Sequence, residues 1–253
     1  MPLLDYLRGF SPRSQPAFVR RAYTRELVGE LSLTFPLAML QAGVISVIGT
    51  LLFGVGPMGV ATITAAPMFA NATSTVWARL AHGRRKAVTL AVLQSVLLVF
   101  VVLLALLPIL PRDLKLSLGP FALMQPSDAA MFVGIYVLSR CFIAGAITVR
   151  TVIWRANYPR HSRSRITGRL MLLNTLMLAF IPLVAGKLFN EEQGFDPRLY
   201  LAVYLAAALA GIVGVISYAG LRVRREPKLL DDERAANHTA DAKGPSAIRV
   251  LRT

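Results

Sequence analysis

Arg140 stands inside an apolar stretch, 129 to 153, roughly a dozen residues from its start. A guanidinium at that depth of a bilayer costs from ~2.5 to more than 10 kcal/mol, so it must face a bundle interior or a wet cavity. There it would bind an anionic or carbonyl-rich ligand, enter a switching ion pair, or bond to helix-end carbonyls or to Gln41. Gln41, Gln94 and Asn174 are the other strong hydrogen-bonding side chains well inside apolar runs, with Asn71 nearer an end. Amides so placed tie helices together or contact a polar solute. Acidic residues are expected only at the edges, where Glu30 and Asp128 mark helix ends. Proton relay through a membrane carboxylate is therefore not expected. The single Cys141 excludes an intramolecular disulfide, and with only His82, His161 and His238 no metal site is expected. No catalytic set, cofactor or enzymatic activity follows from these residues.

The elements that must position these side chains are long and apolar. The chain is 55% hydrophobic and 16% charged, with a mean hydropathy of +0.56. Runs at 31 to 55, 57 to 78, 87 to 110, 129 to 153, 168 to 189 and 199 to 221 each supply the roughly 20 residues that a helix needs to cross a bilayer. They lack the alternation of strands. The expected fold is thus all-α, a polytopic membrane protein of six transmembrane helices. Residues 1–30 form a basic segment, 31–221 the membrane domain, and 222–253 a polar, flexible tail. Pro36, Pro67, Pro108 and Pro182 lie within the helices or near their ends and predict kinks.

A net charge of +15 raises nucleic acid as a partner, above all through "WRANYPRHSRSRITGRL" (154 to 170), with five arginines and no acid. The distribution of charge answers that. Lys and Arg number five in the amino-terminal segment, four in "RLAHGRRK" (79 to 86), five in the 154 to 170 stretch and eight in the tail. The alternate connections hold none, two and two. Positive charge segregated in this way marks the cytoplasmic side, so both termini face inward at the plasma membrane, as six crossings require. The arginine loop then sets topology and meets anionic lipid. Trp154 and Tyr158 are interfacial aromatics, and nucleic acid is not an expected partner.

The order of these features resembles the amino-terminal half of the major facilitator superfamily (MFS). The loop after the second helix in that family carries a pattern like G-x-x-x-D-R-x-G-R-R/K. Gly83, Arg84 and Arg85 match its end, while Val76, Leu80 and Ala81 replace its first Gly, its Asp and the next Arg. Arg140 and Gly145 are similar to an Arg and Gly on the family's fourth helix. Pro159, Arg163, Arg165 and Gly168 resemble the next connection, and "PLVAGKL" (182 to 188) and "RVRRE" (222 to 226) resemble features of helices five and six. The resemblance spans about 200 residues. It implies a gating role for the two loop motifs and a cavity lined by helices one, two, four and five, which selects Gln41, Arg140 and Asn174 as substrate-binding residues. The implied activity is alternating-access movement of a small solute. Six helices make one half of that architecture, so the expected partners are the lipid bilayer, a small-molecule substrate, and a second six-helix half or a second copy; a fragment is the other expectation. The rival reading is a membrane protein without transport: a scaffold, a sensor or a degenerate fragment.

Overall fold

The computed structural model describes residues 11–109, 127–188 and 197–242. Among them there is no strand. After a short turn at Pro12–Ser14 come α1 (Ala17–Met39), α2 (Ala42–Phe53), α3 (Pro57–Ala72), α4 (Ser74–Ala81), α5 (Lys86–Leu106), α6 (Asp128–Asn157), α7 (Arg160–Leu188), α8 (Pro197–Ala219) and α9 (Glu226–Ala242).

Five helices among the described residues are long and apolar enough to cross a membrane: Ala17–Phe53 (α1 with α2), Lys86–Leu106, Asp128–Asn157, Arg160–Val184 and Arg198–Ala219. Exposed side chains such as Met58, Met68, Phe180, Leu183 and Ile216 cover the outside of the bundle, as befits a protein embedded in lipid. The run expected to form a second crossing is divided. Thr73 adopts a turn between α3 and α4, its N–H bonding back to Ala70 O at 3.0 Å and its hydroxyl to the same carbonyl at 2.6 Å. Neither α3, at 16 residues, nor α4, at 8, reaches spanning length alone.

The first helix departs from expectation at both ends of its apolar run. It starts at Ala17, so the basic segment enters the bundle and buries Val19, Tyr23 and Glu26. It then breaks at Leu40 and Gln41, one turn beyond Pro36, where Gln41 is extended (φ −65, ψ 137) before α2 restarts. The polar tail is not all coil, since Glu226–Ala242 is helical.

Packing follows from small residues and aromatic plugs. α1 packs along α8 and α7, α5 along α8 and α6, and α6 along α3 and α4. A Cβ on Gly214 of α8 would lie 2.6 Å from Leu33 Cγ and 3.0 Å from the Gly29 carbonyl, so the two backbones touch. Gly211 similarly admits Leu98 and Pro36. These glycines end the Ala207-x-x-x-Gly211 and Ala210-x-x-x-Gly214 pairs, whose role is packing within the bundle. One apolar core holds Leu40, Ile45, Ile63, Leu104, Phe132 and Tyr204, and a second holds Leu33, Leu90, Val149, Ile153 and Tyr218. The start of α1, the ends of α6 and α8 and the α4–α5 turn gather at one end, tied by Ser217 Oγ to Arg25 O at 2.8 Å and Arg224 N to Asn157 Oδ1 at 2.8 Å. This is the arginine-rich end.

Candidate functional site

The most polar buried place in the bundle is formed by residues whose spacing on α1 and α6 matches. Glu26 and Glu30 lie one helical turn apart on α1, and Arg150 and Trp154 one turn apart on α6. Glu26 is 0% and Glu30 4% exposed. The expectation that no carboxylate lies inside the bundle is therefore corrected: α1 begins well before the apolar run, which carries Glu26 and Glu30 inward.

Glu30 is held from three helices. Its Oε2 meets the Arg150 guanidinium as an ion pair and accepts from the Tyr218 hydroxyl of α8 at 3.1 Å, while Oε1 accepts from the Asn174 amide of α7. Arg150 also lies over two aromatic faces, 4.6 Å from the Trp154 centroid and 5.8 Å from that of Tyr218. Desolvating an ion pair is costly and is offset only when both partners are hydrogen-bonded and close. Here two neutral donors complete the Glu30 side, while Arg150 has two π faces against it but an Nε that meets no hydrogen-bond acceptor among the described residues. Glu26 is differently placed. Trp154 Nε1 donates to its Oε2 at 2.7 Å, while Oε1 and the adjoining Tyr158 hydroxyl, which interact, meet no described residue in hydrogen-bond geometry. Burial, and then the neighbouring Glu26, push the Tyr158 phenol well above the usual tyrosine range, which keeps it a neutral hydroxyl.

The three residues singled out for solute binding do not converge. Gln41, in the break of the first span, lines a cavity of about 760 Å³ between α2 and α7, with Val44, Val47, Thr175, Leu178 and Pro182. Asn174 neighbours that wall but turns to Glu30. Arg140 is half-buried beside Tyr136, lines neither this cavity nor the one described next, and has no carboxylate partner among the described residues. A second cavity of about 660 Å³, wide open at the bundle surface, lies between α3 and α6, lined by Thr62, Val133, Val137 and the exposed Met58 among others. Both have nearly apolar walls.

The loop motifs have local structural tasks. Gly83 takes a left-handed conformation (φ 67), which a Cβ would disfavour. Its N–H donates to Glu233 Oε2 of α9 at 2.7 Å. The same oxygen is 2.6 Å from Lys86 Nζ, a lysine only 2% exposed that also donates to Ala81 O at 2.7 Å. His82 Nε2 lies 2.9 Å from Glu233 O, and Arg85 Nε 3.7 Å from Glu226. The tail helix thus clasps the α4–α5 turn, and Arg84 stays exposed. Pro159 opens the α6–α7 connection. Arg163 donates to the carbonyls of Arg155 at 2.9 Å and Tyr158 at 3.0 Å, capping the carboxyl end of α6. Arg165 and Gly168 are exposed.

Sequence reading missed Glu26, Glu30, Arg150 and Tyr218. The available signal was two four-residue spacings, Glu26 to Glu30 and Arg150 to Trp154, on helices whose pairing no local pattern discloses. Fold and site together define an all-helical, membrane-embedded protein with a buried ion-pair cluster. Compared with protein-family models, curated proteins and solved structures, the chain shows no significant match.

Proposed function

We propose that this chain is a secondary-transporter-like membrane protein, the amino-terminal six-helix half of an MFS-type carrier, moving a small solute by alternating access. The observation that carries this reading is the pairing of helices. Number the crossings as α1–α2, α3–α4, α5, α6, α7 and α8, and exchange the first three with the last three. The contact of the first crossing with the sixth becomes that of the fourth with the third; the first with the fifth becomes the fourth with the second; the third with the sixth is unchanged. Every extensive pairing has its counterpart. With six crossings the exchanged helices stand three places apart, two crossings lying between them, and so run in opposite directions, a relationship that supports an inverted-repeat reading.

The two cavities obey the same exchange. One lies between crossings one and five, the other between four and two. Their apolar walls, with Gln41 in one and Thr62 in the other, suit a small and largely apolar solute. In this reading both termini and the arginine-rich loops face the cytoplasm of the plasma membrane, no cofactor is required, and a second six-helix half or a second copy completes the path.

The test is access from both sides. In a Cys141→Ser background, single cysteines at Gly43 and Thr175 are treated with a membrane-impermeant thiol reagent in oriented vesicles. Alternating access expects each to be labelled from either face, at rates that shift in opposite senses when a transported solute is supplied. Labelling from one face alone under every condition overturns the reading.

A further inference from the structure

We infer that Glu26 is a proton-binding site of the bundle, taking up and releasing one proton on Oε1. The argument is one of charge and geometry. Two fully buried carboxylates share the Arg150 guanidinium, and Glu30 takes it. Glu30 has both oxygens engaged, by Arg150, Tyr218 and Asn174. Glu26 keeps one well-formed bond, from the neutral Trp154 indole, with the neutral Tyr158 hydroxyl beside it and its Oε1 outside hydrogen-bond geometry to any described residue. Arg150, already paired with Glu30, offsets a second negative charge there only in part, and a proton on Glu26 completes the balance.

The surroundings from each helix are consistent with this. The groups that act on Glu26 are Glu30 on α1, Arg150 and Trp154 on α6 and Tyr158 in the turn that follows, while Asn174 on α7 and Tyr218 on α8 bond to the neighbouring Glu30. Among the described residues Arg150 is the cation that acts on Glu26. The step is a simple protonation: carboxylate plus proton gives carboxylic acid, with the new O–H on Oε1 and the indole bond to Oε2 retained. Release of the proton leaves Arg150 between two carboxylates one turn apart on α1. A shift of Arg150 from Glu30 to Glu26 would break the α1–α6 ion pair at Glu30 and leave that carboxylate to the Asn174 and Tyr218 donors alone, so proton occupancy biases how α1 sits against α6. Use of that bias to drive a solute rests on the transporter reading; the proton site itself does not.

The experiment is an infrared pH titration of the full chain in lipid nanodiscs, following the C=O stretch of buried protonated carboxyl groups. Exposed carboxyls titrate near about pH 4 and are set aside on that basis. The expected result is one buried carboxyl signal that titrates above that range, is lost in Glu26→Gln, and moves to lower pH by about one unit or more in Glu30→Gln, where Arg150 becomes free for Glu26. Absence of such a signal in the unmodified chain overturns the inference without any variant. So does a signal that survives Glu26→Gln, or one that Glu30→Gln leaves in place. A chain that titrates as expected but fails the two-sided access test removes the transporter reading and leaves the proton site standing.

Discussion

Glu30 on α1 and Arg150 on α6 form an ion pair inside the bundle, and the same carboxylate also receives Asn174 from α7 and Tyr218 from α8. One side chain therefore joins four helices. Arg150→Met leaves Glu30 buried without a cation, which typically costs about 3–5 kcal/mol. Removing both charges, as in Glu30→Gln with Arg150→Met, should cost less than Arg150→Met alone. Unfolding in mixed micelles by a graded denaturing detergent reads both, and an Arg150→Met protein as stable as the double variant would refute the assignment.

Gly214 and Gly168 are both helical glycines with opposite expectations. A side chain at Gly214 meets Leu33 and the Gly29 backbone, so Gly214→Leu should destabilise the α1–α8 contact by about 1–3 kcal/mol. Gly168 has nothing within 4 Å of a would-be Cβ, and Gly168→Ala should stabilise α7 by about 0.5–1 kcal/mol. Thermal unfolding of the two purified variants separates the cases.

What the sequence disclosed and what it hid have a common cause. Hydropathy over about 20 residues is a local property, so the long helices around Leu97, Ala144 and Ala208 were legible without tertiary knowledge. Glu26 and Glu30 precede the apolar run and looked like its edge; only the pairing of α1 with α6 makes them interior. Arg140 drew attention by its place in the middle of a run, yet Arg150, nearer the end of the same helix, has the carboxylate. The break at Leu40–Gln41 follows a proline that predicted a kink, but nothing local fixed its position one turn later.

The tail helix yields a prediction about local opening. Glu233 holds the Gly83 N–H and the buried Lys86 ammonium together. Charge-assisted bonds of this kind contribute about 1.5–3 kcal/mol, so Glu233→Gln should raise amide exchange at Gly83 and across Glu226–Ala235 by roughly ten- to a hundred-fold. Exchange along α5 beyond its first turn should not change. An unaltered rate at Gly83 would show that the clasp does not hold the turn.

The orientation of the bundle is testable through charge. The α4–α5 turn and the α6–α7 connection carry the arginines and share one end with the start of α1 and the end of α8, whereas Gly56, between α2 and α3, lies at the opposite end of the first span. Positive-inside bias then requires cysteines replacing Arg84 or Arg160 to react with an impermeant reagent only from the cytoplasmic face, and one replacing Gly56 only from the other. Neutralising Arg84, Arg85, Arg160 and Arg165 together should produce a fraction of inverted chains, seen as mixed labelling at Gly56. Arg163 is left intact in that experiment because it caps α6, and its loss would confound orientation with the stability of the helix end.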